Sequence, residues 1–444
     1  MPFDRKQHIA IAGAGLVGSL MAIYLARRGH RVSVFERRED RRRQQVEVGR
    51  SINLALSNRG LRALAEVGLS DEIRKNAIAM NGRMMHDAQG KLTFQPYGKA
   101  GQFINSISRG NLNVVLMDEA EKMGVTFHFS SRIEKVDFGD SALTVTNGHK
   151  KTTETFDAII GADGAFSAVR GSLQITDRFD YSQHYIAHGY KELHIPPGKD
   201  NAFQLEKNAL HIWPRQSFML IALPNPDGSF TCTLFYPFDG PHSFDKLQTE
   251  KQIDAFLMNT FPDAYALIPN GAALFRQTPA SSLVTVRCFP WTKNNTLLIG
   301  DAAHAIVPFF GQGMNAGFED CRVLNEILAN GAGWHESFNA FQERRKADAD
   351  AIAQLALDNF IEMRDLVADD RFLLRKKIEA KLHELFPEKW IPLYTMVTFR
   401  DDIGYADALA MGNRQKQAMD QVMQSDVTEK NWEHLNFEAI VNTL

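Results

Sequence analysis

Hydrophobic and polar positions fall into three blocks over the first 36 residues. A short apolar run at 8–12 is followed by a glycine turn, then by an apolar stretch with helical spacing over 19–28, and then by a second β-type run at 31–36. Short apolar runs bounded by turn residues indicate buried strands, and the longer stretch indicates a helix. The pattern therefore predicts two parallel strands joined by a helix.

A similar pattern lies between residues 296 and 320. An apolar run at 296–299 is followed by Gly300 and Asp301, and glycines at 311 and 313 interrupt the chain before apolar positions recur at helical spacing up to Leu328. This order predicts a strand, an acidic loop, a glycine turn and a helix that begins with free backbone N–H groups. Such a helix start favours a negatively charged group.

The middle and the end of the chain have different textures. From about residue 181 to 238 the segments are β-type, and the runs 219–223 and 230–236 flank an Asn-Pro-Asp-Gly turn, which predicts a hairpin in an inserted antiparallel sheet. Beyond Asn330 the spacing is helical. The apolar stripe there comprises Phe338, Phe341, Ile352, Leu355, Ala356, Phe360 and Met363, with Asn359 among them.

Composition narrows the possible partners. The 444 residues predict two or three compact units. The 50 Lys and Arg residues nearly balance 53 Asp and Glu, so we expect a small-molecule partner rather than nucleic acid. Three cysteines match neither a zinc site nor a disulfide framework, and no signal pattern or apolar membrane span is visible. A cytoplasmic location without a membrane anchor is the expectation.

The first turn carries a glycine fingerprint with a separate task for each glycine. Gly13 makes the tight turn, Gly15 lets the backbone approach a pyrophosphate, and Gly18 lets the helix pack on the strand. Glu36 ends the second strand, where a carboxylate accepts hydrogen bonds from ribose hydroxyls. Five arginines follow within 37–43; such runs are usually solvated loops, and contact with a cofactor phosphate is the alternative.

A third turn of this kind follows the apolar run before Asp163 and Gly164, with Arg170 seven residues beyond the aspartate. Three cofactor-type turns exceed the needs of a nicotinamide dehydrogenase and match those of a bound FAD. Together, these three turns resemble the three motifs of the single-component flavin aromatic hydroxylases. The blocks at 49–60, 82–86, 308–315 and 393–399 further resemble those of the kynurenine 3-monooxygenase family, and the resemblance runs from about residue 8 to residue 400.

The resemblance implies an α/β fold with three parts. A Rossmann-like FAD-binding domain of the aromatic-hydroxylase type would comprise residues 1–75, 101–176 and 277–330, an inserted antiparallel-sheet substrate domain 76–100 and 177–276, and a C-terminal helical subdomain 331–444. The implied reaction is NADPH- and O2-dependent hydroxylation of L-kynurenine to 3-hydroxy-L-kynurenine through a flavin C4a-hydroperoxide. FAD would stay bound and NADPH would bind transiently, because a second nicotinamide fingerprint is absent. A monomer or weak homodimer is expected.

The resemblance also implies site residues. Arg83 and Tyr97 would bind the substrate carboxylate, which suits a guanidinium fork and a phenol, and a turn at 87–90 predicts that they share a hairpin. Further substrate contacts would be Asn359, Met363, Tyr394, Phe309 and Phe310. The implied cofactor contacts are Gly13, Gly15, Leu16, Val17, Gly18, Glu36, Arg37, Arg38, Ala55, Arg109, Asp163, Asp301, Gly313, Met314 and Asn315.

Several of these residues have a plainer interpretation. A single arginine such as Arg83 is usually a surface charge, and Asn359 could be an edge position that faces water. His304 suits a hydrogen bond to backbone better than general-base catalysis, and His184 and His188 lack the glutamate of a zinc helix. We expect no catalytic acid or base and no metal.

Three rival functions are open at this point. One is a flavin hydroxylase of another aromatic acid. Another is a halogenase, although Trp390-Ile-Pro392 matches only part of that signature. The third is a flavin-binding interaction module without turnover.

Overall fold

The computed structural model describes residues 6–43, 53–99, 101–363 and 370–444. Residues 49–52 of the block at 49–60 lie outside these ranges. Strands and helices are labelled β and α in chain order.

The first 36 residues form the predicted unit. Strand β1 (His8–Ala12), helix α1 (Leu16–Arg27) and strand β2 (Arg31–Phe35) follow one another, and the two strands pair in parallel. The helix begins three residues before the predicted stretch, immediately after Gly15. The prediction of parallel strands joined by a helix is therefore confirmed.

This unit is part of a six-stranded sheet in which every neighbouring pair is parallel except the β18–β19 hairpin. The run at 296–299 supplies β19, which pairs with β12. In spatial order the strands are β18 (Thr292–Lys293), β19 (Thr296–Leu298), β12 (Ala158–Gly161), β1, β2 and β8 (Thr126–His128).

A seven-stranded sheet forms the second layer. The predicted hairpin is present as β15 and β16, which pair antiparallel. One pair departs from the expected antiparallel sheet, because β5 runs parallel to β14. In spatial order the strands are β17 (Ser281–Phe289), β13 (Asp180–Ile195), β16 (Phe230–Pro237), β15 (Phe218–Pro224), β14 (Ala209–Arg215), β5 (Gly82–His86) and β6 (Leu92–Pro96).

Two three-stranded sheets complete the β-structure among the described residues. One consists of β3 (Asn53–Leu56), β7 (Ile104–Ser108) and β4 (Ile78–Met80), and the other of β11 (Lys150–Thr155), β10 (Ala142–Asn147) and β9 (Ser131–Asp137).

The two longest of the remaining described helices, of 28 and 20 residues, lie after residue 330. Among the described helices, none combines the length and apolar character needed to cross a bilayer. The helices that follow α1 are α2 (Asn58–Glu66), α3 (Ser70–Lys75), α4 (Arg109–Lys122), α5 (Ala168–Gln174), α6 (Glu250–Thr260), α7 (Pro262–Tyr265), α8 (Gly271–Gln277), α9 (Asp301–His304), α10 (Gly313–Leu328), α11 (Trp334–Ile361), α12 (Asp370–Leu385), α13 (Leu393–Phe399), α14 (Tyr405–Gln424) and α15 (Phe437–Val441).

The two faces of the seven-stranded sheet are covered differently. On one face, Trp213 and Phe230 pack with residues of α6 and α8. On the other face, Ile212 and Phe235 pack with residues of α11, α13 and α14. The C-terminal helical prediction is confirmed, since the stripe along α11 is buried. Phe338 and Phe341 pack in the core around the parallel sheet, and the stripe from Ile352 to Phe360 forms part of this second core.

Candidate functional site

A cavity of about 1310 Å³ runs between the parallel sheet and the seven-stranded sheet. Its lining joins the turn after β1, the end of β2, the segment after β12, and the chain from Asp301 to Met314. Parallel sheets bind ligands at the carboxyl ends of their strands, and these segments follow β1, β2, β12 and β19. The cavity therefore brings the three glycine-containing turns to one place.

The glycines of the first turn have different surroundings. Gly13 and Gly18 are closely packed, and Gly15 faces open space. A Cβ on Gly13 would lie 2.6 Å from the carbonyl oxygen of Ala162, and one on Gly18 would lie 2.0 Å from that of Gly13. A Cβ on Gly15 would meet no protein atom within 4 Å, and Gly15 lines the cavity. Gly18 does not line it, so its task is the close approach of helix and turn.

Two helices begin at the cavity without a side-chain cap. Helix α1 follows Gly15, which has no side chain. Helix α10 follows Gln312, whose side chain accepts no hydrogen bond from the helix. Leu16, Val17, Gly313 and Met314 line the cavity at these two starts. Uncapped N–H donors and aligned helix dipoles fit the anionic parts of FAD.

We call the cavity lining around the starts of α1 and α10 the cofactor cradle. Hydrogen bonds of Glu36 and Asn315 join its two ends to the rest of the protein. Oε2 of Glu36 accepts a hydrogen bond from the backbone N of Ala14 at 3.1 Å. Asn315 is buried and does not line the cavity: its Oδ1 accepts from Ser57 N, and its Nδ2 donates to the carbonyl oxygen of Ala55 at 2.8 Å. Asn315 thus ties α10 to β3, which brings Ala55 to the cavity.

Asp163 lies at the turn after β12, and Asp301 lies at the turn after β19. Oδ2 of Asp163 accepts from the backbone N of Ala168 at 2.7 Å, whereas its buried Oδ1 has no hydrogen-bond partner among the described residues. Asp301 lines the cavity at the start of α9, opposite the charge of Arg109. Burial raises the pKa of both carboxyl groups. The unpartnered oxygen of Asp163 fits a hydroxyl or N–H donor of a bound dinucleotide.

From the sequence, the arginines within 37–43 are interpreted either as a solvated loop or as contacts to a cofactor phosphate, and the structure places some of them at the cavity and others away from it. Arg37 and Arg38 line the cavity beside Glu36. Arg42 instead forms ion pairs with Asp118 at 2.8 Å and with Glu121 at 2.7 Å, outside the cavity. Among the arginines of this run whose side chains the structure describes, Arg37 and Arg38 are thus the two that line the cavity.

Arg83, Tyr97 and Tyr394 form a cationic end of the cavity. The predicted hairpin is present, since β5 and β6 pair antiparallel with Arg83 opposite Gln95, and Tyr97 follows β6. Cζ of Arg83 lies 4.9 Å from the ring centroid of Tyr394 and 5.6 Å from that of Tyr97. The Nε of Arg83 and the hydroxyl of Tyr97 are buried without a hydrogen-bond partner among the described residues.

The protonation of this end suits an incoming anion. Burial raises the pKa of Tyr97 well above its usual value, so the phenol keeps its proton as a donor. Arg83 has no carboxylate partner in the described part of the chain, and a guanidinium carries its charge at all relevant pH values. The plainer interpretation of Arg83 as a surface charge is wrong, because its Nε is buried and the residue lines the cavity.

Apolar side chains line the space between the cationic end and the cofactor cradle. The ring of Phe309 lies 4.9 Å from that of Phe235, and Phe310 stacks on Tyr394 at 5.5 Å. Met363 also lines the cavity. The sequence reasoning missed the wall supplied by the seven-stranded sheet, namely Tyr190, Leu210, Met219, Ile221, Leu223 and Phe235. Alternation marks these strands, but only the fold shows which face meets the cavity.

Asn359 is buried and does not face water, so the edge-position interpretation is wrong. Its Nδ2 donates to the carbonyl oxygen of Phe309 at 2.7 Å and lies 3.3 Å from Sδ of Met363. Asn359 is absent from the cavity lining. Its amide thus holds two residues that do line the cavity.

His304 binds a carboxylate and not the backbone, contrary to the sequence expectation. Its Nε2 lies 2.6 Å from Oδ2 of Asp320, which also accepts from the backbone N of Gly300 at 2.9 Å. Arg345 donates to Oδ1 of the same aspartate. Burial opposes the charge of Asp320, but His304 and Arg345 lower the pKa of this carboxyl. The cluster fixes the Gly300–Asp301 turn.

The other two histidines have no metal partners. Nε2 of His188 donates to the carbonyl oxygen of Ser217 at 2.7 Å, and His184 lies on β13, the strand it shares with His188. Within the described ranges, no group of three His, Cys, Asp or Glu residues could hold a metal ion.

Comparisons with known proteins cover most of the chain. The FAD binding domain family matches residues 6–356. Kynurenine 3-monooxygenase of Myxococcus xanthus (strain DK1622) is 53% identical, covering 92% of this chain and 89% of that protein. Kynurenine 3-monooxygenase of Christiangramia forsetii is 49% identical over 99% of both. The solved tetrameric form of 2-methyl-3-hydroxypyridine-5-carboxylic acid oxygenase is 20% identical with a TM-score of 0.70, covering 82% of this chain and 95% of that one. This structural likeness shows the fold.

Proposed function

The chain belongs to the kynurenine 3-monooxygenase family of FAD-binding proteins, and we propose that it hydroxylates L-kynurenine to 3-hydroxy-L-kynurenine with NADPH and O2. FAD, when bound, supplies the electron transfer and the oxygen activation. The side chains of this protein bind, orient and enclose the reactants.

The observation that supports kynurenine as the substrate is the cationic end of the cavity. A buried guanidinium without a carboxylate partner is costly unless a ligand supplies the anion. The Nε of Arg83 and the hydroxyl of Tyr97 are both unpartnered donors there. An amino-acid carboxylate would give both donors an acceptor, because it accepts two hydrogen bonds from a guanidinium fork and a third from a phenol.

The apolar section next to this end suits the substrate ring. Phe309, Phe310 and Met363 supply apolar surfaces, and the inward side chains of the seven-stranded sheet supply the opposite wall. With its carboxylate on Arg83, kynurenine would place its amino-substituted ring in this section, toward the start of α10. Apolar walls exclude water from the place where oxygen is transferred.

The cofactor would extend along the three turns. We propose that the pyrophosphate lies against Gly15 and the start of α1, with the adenosine ribose on Glu36. Arg37, Arg38 and Arg109 would supply positive charge, and Asp163 and Asp301 would bind hydroxyls. The flavin ring would meet Gly313 and Met314, whose N–H groups at the start of α10 stabilise negative charge on a reduced ring.

No side chain is assigned as a catalytic acid or base. His304 is engaged with Asp320, at the turn that carries Asp301. Asn359 acts through the Phe309 carbonyl in the structure, and direct contact with substrate would require its amide to leave that oxygen. The catalytic task of the chain is therefore placement and exclusion of water.

We also propose the three-part organisation given above, in which the substrate segments 76–100 and 177–276 supply β5, β6 and β13–β16. We further propose that the protein is a cytoplasmic monomer or weak homodimer that binds NADPH only transiently.

The deciding experiment is a substrate screen on purified protein reconstituted with FAD. L-kynurenine and other aromatic acids are compared for stimulated NADPH oxidation, with product analysis and a peroxide assay. The proposal expects 3-hydroxykynurenine in near-stoichiometric yield with little peroxide. Stimulation without a hydroxylated product, or hydroxylation of a different aromatic acid only, would contradict it. Bound FAD with no turnover of any acid would favour the interaction module.

A further inference from the structure

A chain of hydrogen-bonded polar groups centred on two buried imidazoles lies on the face of β5 opposite the cavity. Nδ1 of His86 is 2.7 Å from Oδ2 of Asp263, and Nε2 of His86 is 2.9 Å from Nδ1 of His211. Nε2 of His211 is 2.8 Å from the carbonyl oxygen of Glu206. Both imidazoles are about 2% exposed, and neither lines the cavity.

The number of protons in this chain follows from its geometry. Each of the three gaps needs one hydrogen, because each otherwise brings two lone pairs together. The Glu206 carbonyl can only accept, so Nε2 of His211 must carry a hydrogen. Two neutral imidazoles supply two hydrogens, and a third proton is therefore required.

The third proton has three places to reside, and two of them are unfavourable. The indole N–H of Trp213 donates to Oδ2 of Asp263 at 2.8 Å, which stabilises a carboxylate. Burial lowers the pKa of His211 to about 4. The proton thus belongs to His86, between a carboxylate and a neutral imidazole.

We propose that His86 is an imidazolium in the folded protein and acts as a positioning residue for Arg83. The two residues are three apart on β5, whose side chains alternate between the two faces. Clamping His86 to Asp263 of α7 and His211 of β14 fixes the strand from behind. Arg215 reinforces this by donating to the carbonyl oxygen of His86 at 3.1 Å. The inference rests on the proposed role of Arg83 in kynurenine binding.

Loss of the third proton would place the lone pairs of His86 Nε2 and His211 Nδ1 2.9 Å apart and release the strand. The charged and titratable groups that face the pair are Asp263, Arg215, Asp87 and Glu206. Kynurenine affinity should therefore fall as pH rises, beyond any titration of the substrate itself. Asp263→Asn removes the carboxylate that holds the proton, and Asp254→Asn is the matched control. Asp254 lies on the adjacent helix and accepts from Tyr265.

The proton is tested without substrate. Holoprotein labelled with [15N]histidine is examined at pH 8, and the signal of His86 is assigned by its loss in His86→Gln. An imidazolium signal that persists in Asp254→Asn and disappears in Asp263→Asn is expected. A neutral His86 at pH 8 in the unsubstituted protein would overturn the inference.

The positioning role is tested by kinetics. For Asp263→Asn we expect the kynurenine KM to rise about tenfold with kcat within about twofold, and the extra loss of affinity at alkaline pH to disappear. An unchanged KM and pH profile would overturn the positioning role while leaving the proposed function intact. Absence of kynurenine turnover in the unsubstituted protein would instead contradict the proposed function.

Discussion

The ring of Tyr97 lies parallel to the ring of Tyr394, with centroids 5.2 Å apart and 11° between their planes. The two phenols flank Arg83, the cation at this end of the cavity, and the buried hydroxyl of Tyr97 has no hydrogen-bond partner among the described residues. Stacking fixes the rings before substrate arrives, so the hydroxyl would meet the proposed substrate carboxylate without a further loss of side-chain freedom. Two substitutions test this arrangement.

Tyr97→Phe should separate binding from stability. The hydroxyl has no hydrogen-bond partner among the described residues, so its removal should leave the free energy of unfolding unchanged or raise it by up to about 1 kcal/mol. Kynurenine binding should weaken by about 1 kcal/mol, measured as KM or by titration. Tyr265→Phe is the control, because that hydroxyl bonds Asp254 and its loss should lower stability only. A stability loss in Tyr97→Phe with normal binding would assign the hydroxyl a structural role.

Arg83→Ala should lose the charge that receives the carboxylate. We expect kynurenine binding to weaken by about 2 kcal/mol or more, with FAD content unchanged because Arg83 lies beyond the cofactor cradle. Arg62→Ala, which removes an exposed ion pair with Asp401, should leave both unchanged. Absorbance of bound flavin and steady-state kinetics provide the two measurements. An unaltered affinity would remove Arg83 from the substrate site.

Asn359→Ala should act through Phe309. Removing the buried amide leaves the Phe309 carbonyl without that donor, so the free energy of unfolding should fall by about 1–3 kcal/mol. The kynurenine KM should rise as well, since the aromatic wall loses its anchor. Unfolding in urea and steady-state kinetics measure the two effects. Weaker binding with unchanged stability would instead indicate that the amide contacts substrate directly, as the family resemblance implies.

Acid should destabilise the protein partly through His211. Burial lowers the pKa of this imidazole to about 4, whereas in an unfolded chain it is about 6.5. Between these pH values the unfolded state binds more protons, so stability falls as pH falls, by a total of about 3 kcal/mol from this group. Urea unfolding from pH 7 to pH 4 should show a smaller decline for His211→Gln than for the unsubstituted protein. The exposed substitution His149→Gln should leave the decline unchanged.

The features that the sequence predicted are those encoded by neighbours along the chain. The β1–α1–β2 unit and the start of α10 follow from local apolar spacing and glycine turns. The same reasoning could not find the partner of Asn359, because the Phe309 carbonyl is 50 residues away. It also assigned His304 to backbone, since Asp320 becomes a neighbour only when α10 packs beside α9. The parallel pairing of β5 with β14 was missed because more than a hundred residues separate these strands.

The glycine turn after β1 permits a test of the cofactor cradle that does not depend on turnover. Gly15 has a φ of −75°, which alanine adopts, and its Cβ would meet no protein atom within 4 Å. Gly15→Ala should therefore change the stability of the FAD-free protein by no more than about 1 kcal/mol. The new methyl group would stand where backbone approaches pyrophosphate, so FAD affinity should fall about tenfold or more.

Gly18→Ala is the contrasting substitution. Its Cβ would lie 2.0 Å from the Gly13 carbonyl oxygen, so the turn or the helix must shift, and the FAD-free protein should lose about 1–3 kcal/mol of stability or more. Urea unfolding of both FAD-free variants, followed by titration with FAD, measures the two quantities separately. Full FAD affinity in Gly15→Ala would show that the pyrophosphate does not approach this turn, because the protein itself has room for the methyl group.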